Sequence, residues 1–438
     1  MKNKLPEFKT VRGMRDFLPE DAQQMRYVEQ KARDVACLFG YEEVITPVVE
    51  SHELIAAKAG EEIRLRMYSF NDMGGRKVAL RAEFTPSLAR LTIDKMRTMS
   101  KPIKLFCVGS LYRYDEPQQG RFREFWQADY EIIGSNRPEA DAEIIILTNN
   151  LLGKVGLQNQ TVKIGHMGIL RGILSQENVH EDQQNKIMQL LDKKRWEEAL
   201  ETAQKLNVSP QGIQTLKTIF ETQGKDTSKI LAQTKQNVKN YEKAIAATEN
   251  LQEIVELIQN SSLSAEIMVD VGFARGLEYY TGIIFEAYVP ELEGTGLALG
   301  GGGRYDKLLE LFGGEPTPAV GVALGIDRIA LAVKKRKATQ KLEKQKRVFI
   351  IPIKDEMRTK AFEVSTALRE ANIITEVEIM GRRVANALSD ADRRGFTFAV
   401  LMGPEEEKEG KAILRDMEKR EQTPVEIEKL AERIMKKT

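Results

Sequence analysis

Three stretches of the chain gather arginines, carboxylates, aromatics and glycines in strand-like surroundings, and these residues have chemistry to offer. The first, FCVGSLYRYDEPQQGRFREFWQADYEIIG (106–134), interleaves Arg113, Asp115, Arg121, Arg123, Gln127 and Glu131 with Tyr112, Tyr114, Phe122, Phe125 and Trp126. Side chains alternate along a strand, so Arg123, Phe125, Gln127, Asp129 and Glu131 fall in one row. Lining a cleft, that row offers an aromatic plate for a base and polar groups for a small zwitterion. A sheet with a charged outer face fits the pattern equally well. The second stretch, 270–289, sets Arg275 beside Gly276 and ahead of Glu278, Tyr279, Tyr280 and Thr281. Arginine stays charged and forks onto phosphate or carboxylate, and a neighbouring glycine lets the backbone approach a ligand. The third, LGGGGRYD (299–306), holds four glycines that would weaken a plain strand. It reads either as a wide turn or bulge, or as backbone pressed against a ligand. GVALGIDRIAL (321–331) adds Arg328 at the start of an apolar helix, where the dipole favours anions.

No competing signature appears: there is no Walker-type phosphate loop, no GxGxxG opening a helix and no GxSxG. His52, His166 and His180 lack metal-ligand spacing and read as ordinary residues. Fixed arginines and glycine-rich strands without a nucleophile point to in-line attack on a phosphate stabilised by cations. The residues by themselves take the reading as far as a nucleotide-dependent ligase.

The elements that must position these residues are readable in outline. A helix is expected over 19–39, with Pro19 at its first position and Gly40 beyond its end. The strand-like stretch 42–50 is interrupted by Pro47, which marks an edge or a bulge. Strand-like runs over 76–134 around the turn DEPQQGR predict an antiparallel hairpin with a long loop. From 170 to 260, apolar residues at three-to-four spacing predict amphipathic helices inserted into one β-rich domain. The segment 334–347 carries eight basic residues against one acidic residue and reads as a linker. Beyond it, strands at 348–353, 374–380 and 398–403 alternate with helices at 355–370 and 384–393, and a last helix is expected near Pro424. That alternation predicts a small α/β domain with a mainly parallel sheet over 348–438.

The 438 residues leave room for two to four domains. With 66 Lys+Arg against 65 Asp+Glu, wholesale electrostatic capture of nucleic acid is excluded, although a local basic groove is not. The longest apolar runs, such as VFIIPI (348–353), are too short to span a bilayer, and the N-terminal MKNKLPEFKT does not resemble a secretory signal. Two cysteines, Cys37 and Cys107, exclude a disulfide framework. Both read as small buried residues in a reducing compartment, which makes a cytoplasmic protein the expectation.

At the residues singled out above, a resemblance becomes specific. RGLEYYTG (275–282) and GGGRYD (301–306) resemble the two histidine-specific signatures of the histidyl-tRNA synthetase family, a class II aminoacyl-tRNA synthetase family. The segment 109–134 resembles class II motif 2 in its archaeal and eukaryotic-like form. GVALGIDRIAL resembles motif 3, FGYEEVITPVVE (39–50) resembles motif 1, and LRAEFTPSLAR (80–90) resembles the block for the substrate amino group. Against the family pattern, Ala82 stands where proline is usual, Phe84 replaces a smaller or less aromatic residue, Asp115 stands where Glu is commoner, and Glu278 where Asp is frequent.

The resemblance implies an α+β catalytic domain on an antiparallel sheet over 1–333, interrupted by a helical insertion at 170–260. A basic linker at 334–347 would lead to a C-terminal α/β anticodon-binding domain at 348–438. It implies formation of histidyl-adenylate from histidine and ATP with Mg²⁺, then transfer of histidine to its tRNA, by a homodimer with no structural metal and no membrane partner. Arg113 would bind the α-phosphate and the substrate carboxylate, and Arg275 would stabilise charge growing on that phosphate. Phe125 and Arg328 would sandwich adenine, with Asp115 and Arg121 assisting ATP. Glu83, Thr85 and Gln127 would hold the amino acid backbone. Glu131 and Tyr280 would read the imidazole, Tyr305 would close the pocket, and Tyr279 would line it. Gln118, Gln119 and Arg121 would lie near the acceptor end of the tRNA, which the insertion would clamp. Arg382 and Arg383, with Arg393 and Arg394, are the candidates for RNA contacts in the last domain. Two other readings carry different functions: a non-catalytic regulator of a histidine-biosynthetic phosphoribosyltransferase, and a sensor of uncharged tRNA. Regulators of that kind typically lack the last domain and degrade the arginine signature, both of which are present here.

Overall fold

The structure is a computed structural model that describes residues 8–57, 60–118, 120–261, 264–275, 279–336 and 346–436. The chain forms two compact units, Met1–Ala338 and Thr339–Thr438. In the first, the helix Pro19–Leu38 precedes β1 (Glu42–Glu43), β2 (Val49–Ser51), β3 (Ser69–Asn71) and β4 (Lys77–Leu80). Pro19 opens the helix with Glu20 and Asp21 in its first turn, which suits the unbonded N–H groups there. The stretch 42–50 is therefore not one strand. Pro47 separates β1, which pairs in parallel with the main sheet, from β2, which joins a small sheet ordered β2-β4-β3. Cys107 is buried, as expected, but Cys37 is exposed, because Val28, Ala32, Val35 and Ala36 take the buried face of its helix.

After the helix Thr85–Lys95 come the long strands β5 (Ile103–Tyr112) and β6 (Glu124–Ile133), an antiparallel pair in register from Ile103↔Ile133 to Tyr112↔Glu124. The helix Pro138–Lys154 leads to β7 (Thr161–His166), and helices then run from Met167 to Asn260 with only the two-residue β8 (Gln223–Gly224) among them. The chain continues through β9 (Glu266–Asp270), β10 (Ile283–Tyr288), β11 (Gly300–Arg304), β12 (Ala319–Gly325) and the helix Ile326–Lys335. The nine-stranded sheet is ordered β1-β5-β6-β12-β11-β10-β7-β9-β8 and is antiparallel except at the β1–β5 and β7–β9 pairs. Parallel strands need a long crossover, and the helices of 167–260 supply it between β7 and β9. The first and last of them, Met167–Gln176 and Glu242–Asn260, pack on one another, and one hydrophobic core runs from this helical region through the sheet.

The second unit has a five-stranded sheet formed by β13 (Arg347–Pro352), β14 (Ile374–Val377), β15 (Phe398–Met402), β16 (Lys411–Asp416) and β17 (Gln422–Glu426). Its order is β14-β13-β15-β16-β17. The sheet is mixed rather than mainly parallel: β13 pairs in parallel with β14 and β15, while β16 and β17 add antiparallel partners. Pro424 lies in β17, and the last helix begins only at Leu430. An edge strand tolerates a residue without an N–H, which is why the proline did not have to start a helix. Alternation along β13 sends Val348 and Ile350 into one core and Phe349 and Ile351 into the other, so helices cover both faces. Most of the expected linker, 337–345, lies outside the described residues.

Candidate active site

The β6–β12 register sets Glu131, Asp129 and Gln127 opposite Gly321, Ala323 and Gly325. Phe125, Gln127, Asp129 and Glu131 line one cavity of about 350 Å³, so the row faces a cleft and not bulk solvent. Arg123 leaves that row because β6 begins at Glu124. Its main-chain N–H bonds Gly13 O at 2.8 Å, and its guanidinium stacks 3.6 Å from the Tyr114 ring centroid. The glycine run is neither a turn nor a bulge but the regular strand β11, paired with β10 and β12. Its value is space. A Cβ on Gly301 would collide with Arg275 Nη1, and one on Gly321 with the Glu131 carboxylate.

The more buried half of the cavity holds the carboxylates. Thr85 Oγ1 donates to Glu131 Oε1 at 2.7 Å, and the Tyr305 hydroxyl donates to Oε2. The Tyr279 hydroxyl donates to Glu83 Oε2 at 3.3 Å, and its ring lies 5.0 Å from Tyr280 and 5.7 Å from Tyr305. Burial pushes the Glu131 carboxyl up to about 7 against the pull of those two donors. Burial also raises Glu83, opposed by Arg113. It also raises Asp129 well above the ordinary range, with Glu131 and Glu83 adding to the effect. The Ala82–Phe84 departure keeps the acid in place: the Ala82 carbonyl accepts from Arg113 Nε at 2.9 Å. The Phe84 ring is buried beneath Arg81 at 4.5 Å.

Arginines line the rest. The Arg113 guanidinium lies 5.3 Å from the Phe125 ring centroid. Arg328 donates to Gly120 O at 3.2 Å and Ala298 O at 2.8 Å. Burial, with Arg121 and Arg113 nearby, lowers Arg328 to about 10. Arg275 reaches Phe285 O at 3.5 Å and lies 3.9 Å from the Glu286 carboxylate. Main-chain carbonyls hold these guanidiniums, with the Glu286 carboxylate at the long distance of 3.9 Å from Arg275, and their charge can meet an anion. Asp115 and Arg121 line the same cavity, and Arg66 holds Asp115 at 2.9 Å. Every residue expected at the histidine and ATP positions thus borders one cavity, except that Thr85 and Tyr305 act there partly through Glu131.

Of the RNA candidates among the described residues, Arg121 alone borders the cavity. Gln118 is exposed in the loop after β5, and Gln119 and Glu278 lie outside the described residues. Arg382 is held by Glu378 and Asp390, both at 3.0 Å. Arg393 and Arg394 also pair with Asp390, while Arg383 is exposed.

The sequence reading passed over the N-terminal segment. Arg15 pairs with Asp327, and its guanidinium lies 3.4 Å from the Phe122 ring centroid and 4.7 Å from that of Phe17. Asp327 also accepts the Trp126 N–H at 2.6 Å. The segment thereby braces the loop before β6 and the helix that carries Arg328. Its signal, RGMRDF (12–17), is an Arg/Gly/Asp cluster in a stretch with no periodicity.

An antiparallel sheet floored with glycine, bearing arginines beside an aromatic plate and followed by a separate α/β unit, defines a class II aminoacyl-tRNA synthetase architecture. The family model described as Histidyl-tRNA synthetase matches residues 13–329, and the one described as Anticodon binding domain matches 347–437. A histidine–tRNA ligase of Methanocaldococcus jannaschii is 40% identical over 97% of this chain and 98% of its own. One of Thermococcus kodakarensis is 38% identical over the same shares. The crystal structure of histidyl-tRNA synthetase from Nostoc sp. covers 99% of this chain and 100% of its own, with a TM-score of 0.79 at 23% identity, and shows the shared fold. The chain belongs to the histidyl-tRNA synthetase family.

Proposed function

We propose that the protein is a histidine–tRNA ligase. The histidine carboxylate attacks the α-phosphorus of ATP, forming the acyl–phosphate bond of histidyl-adenylate and breaking the bond to the β-phosphate, so that pyrophosphate leaves. A hydroxyl of the 3′-terminal ribose of the tRNA then attacks the acyl carbon and expels AMP. The observation that carries this reading is a single cavity with two chemically opposed halves. Glu131 is braced by Thr85 and Tyr305 in one, and Arg113, Arg275 and Arg328 are held by main-chain carbonyls in the other.

Arg113 binds the α-phosphate and the amino acid carboxylate, and Arg275 meets the charge that grows on the phosphate during attack. Phe125 and Arg328 enclose adenine, and Asp115 and Arg121 hold the rest of the nucleotide, which arrives as its Mg²⁺ complex with the metal as part of the substrate. Glu83 and Gln127 orient the amino group, with Thr85 acting through Glu131 as well. Glu131 and Tyr280 read the imidazole nitrogens, and Tyr279 and Tyr305 close the pocket. An analogue lacking a ring nitrogen leaves buried polar partners unpaired, which gives discrimination its physical basis.

The domain reading keeps 1–333 as catalytic, with 170–260 clamping the acceptor arm beside Gln118, Gln119 and Arg121. The linker is 334–347, and 348–438 binds the anticodon, where Arg382 and Arg383 contact RNA. A homodimer is supported by the apolar surface of the motif 1 region, where Ile45 is 91% exposed with Val48 and Val49 beside it. Among the described residues no helix is long and apolar enough to cross a membrane, and a cytoplasmic site of action follows from the proposed role in translation. Histidine-dependent ATP–pyrophosphate exchange without tRNA tests the reading. Exchange with histidine and with no other amino acid supports it, and no exchange from folded dimer favours the regulator or sensor instead.

A further inference from the structure

Among the carboxylates that border the cavity, Glu83, Asp129 and Glu131 are almost fully buried, and their hydrogen bonds differ. Glu131 accepts at both oxygens, from Thr85 and Tyr305, and Glu83 accepts from Tyr279. Asp129 is 1% exposed, and its Oδ1 meets no donor among the described residues. Gln127 Oε1 is in the same position. The two residues lie two apart on β6, on the face that lines the cavity, with backbones roughly 7 Å apart at the usual rise of a strand. Buried acceptors without partners are rare in folded proteins and mark places where a ligand donor is expected.

We infer that Asp129 is a further substrate-binding residue, whose unpartnered oxygen accepts, together with Gln127 and Glu83, a hydrogen bond from the α-ammonium of the amino acid. This rests on the reading of the cavity as a histidine site and adds to it an acid whose carboxylate otherwise accepts the Phe84 main-chain N–H. An ammonium group is the fitting donor because it has three N–H bonds to spread over three acceptors and a charge that answers the carboxylates. A water molecule or hydroxyl would satisfy one oxygen but would leave Glu83 and Asp129 facing each other across the same space. The surroundings agree: Glu131 and Glu83 each raise the proton affinity of Asp129, and Arg113 opposes them, so an arriving cation relieves repulsion already built into the site. Arg113 remains for the carboxylate of the same substrate. The ammonium and the carboxylate of one zwitterion are thereby separated onto opposite-charged groups.

The test compares two histidine analogues by calorimetry on the full chain and on Asp129→Asn. Histidinol keeps the ammonium and the imidazole, and 3-(imidazol-4-yl)propionate keeps the carboxylate and the imidazole but has no ammonium. In Asp129→Asn, histidinol is expected to bind about 10- to 100-fold more weakly, the range of a lost charge-assisted hydrogen bond, while imidazolepropionate changes by less than about twofold. Equal weakening of both analogues would show that Asp129 only shapes the pocket, and unchanged histidinol binding would show that its oxygen meets another donor; either result overturns the inference. If Asp129→Asn does not fold, Asp129→Ser removes the same charge and repeats the comparison. Failure of the unaltered protein to bind histidine or histidinol at all would instead remove the reading of the cavity itself.

Discussion

Arg275 and Arg113 border one cavity, yet their environments assign them different work. Arg113 has a well-made bond to Ala82 O at 2.9 Å, whereas the contacts of Arg275, 3.5 Å to Phe285 O and 3.9 Å to Glu286, are long. Long contacts leave room to tighten onto charge that appears only during attack, and such a contact accelerates the chemical step more than it aids binding. Arg275→Ala is therefore expected to lower kcat for pyrophosphate exchange about 100- to 1000-fold, with KM for histidine within about threefold. An equal loss in histidine affinity, read from the same kinetics, would contradict that role. Gly301→Ala should push in the same direction without removing a charge, since its Cβ occupies the space of Arg275 Nη1. At this scale the sequence was largely legible, because strand alternation alone put Phe125, Gln127, Asp129 and Glu131 in one row. Arg15 was not legible, since its partner Asp327 is 312 residues away and only the folded sheet brings them together.

Elements decide whether those side chains stand where chemistry needs them. The segment around Arg15 packs on Phe122 and on Asp327, the neighbour of Arg328, so on the proposed reading it braces the end of the cavity where the nucleotide would sit. Arg15→Ala should raise KM for ATP about tenfold, the scale of a broken part-buried charge pair, and leave KM for histidine unchanged, with Arg15→Lys recovering part of the loss. A rise in both constants would mean that the segment merely supports the fold. Under the helical crossover, His166 caps the helix Met167–Gln176 by accepting the Gly168 N–H at Nδ1 at 3.0 Å. Its proton must then be on Nε2, which faces Asn250 Oδ1 at 3.2 Å. Burial lowers this imidazole from 6.5 to about 4. The unfolded chain consequently binds a proton that the folded chain refuses between those values, and stability present above pH 6.5 is lost as pH falls toward 4. Glu131 and Asp141 shift upward and act in the opposite sense, so the informative quantity is a difference between two proteins that share them. Between pH 7 and pH 5 the unaltered chain should lose about 2 kcal/mol more than His166→Gln in urea unfolding. No pH-dependent gap would mean that the ring is solvated. The sequence showed three histidines and no reason to separate one from another, because burial under two helices is a property of packing. The glycine run was ambiguous for a related reason: a turn and a strand cost the chain the same glycines, and only the β11–β12 pairing separates them.

At the scale of the molecule, each unit holds its own core. The first is built on the nine-stranded sheet, and the second has a core on each face of its five-stranded sheet. The boundary between the units falls inside the basic, apolar-poor run at 334–347, although Lys334 and Lys335 close the helix Ile326–Lys335 and Arg347 opens β13. The mixed character of the second sheet was not legible, because β16 and β17 read locally like any short strands. All the residues of the adenylation cavity belong to the first unit, and that separation fixes a sharp expectation for the chain 1–338. With its core and cavity intact, it should carry out histidine-dependent pyrophosphate exchange at a rate within about twofold of the full chain. Charging of tRNA is a different matter. An RNA held by two linked modules gains avidity that neither has alone, on the order of 100-fold or more. Removal of residues 339–438 should lower kcat/KM for tRNA by that order, and the loss should grow with salt as the remaining phosphate contacts weaken. If the shortened chain charges tRNA as well as the whole, the second unit has no part in recognition, whatever its fold. If it loses exchange as well, the first unit depends on the second for its structure, and the independence of the two cores is the premise that fails.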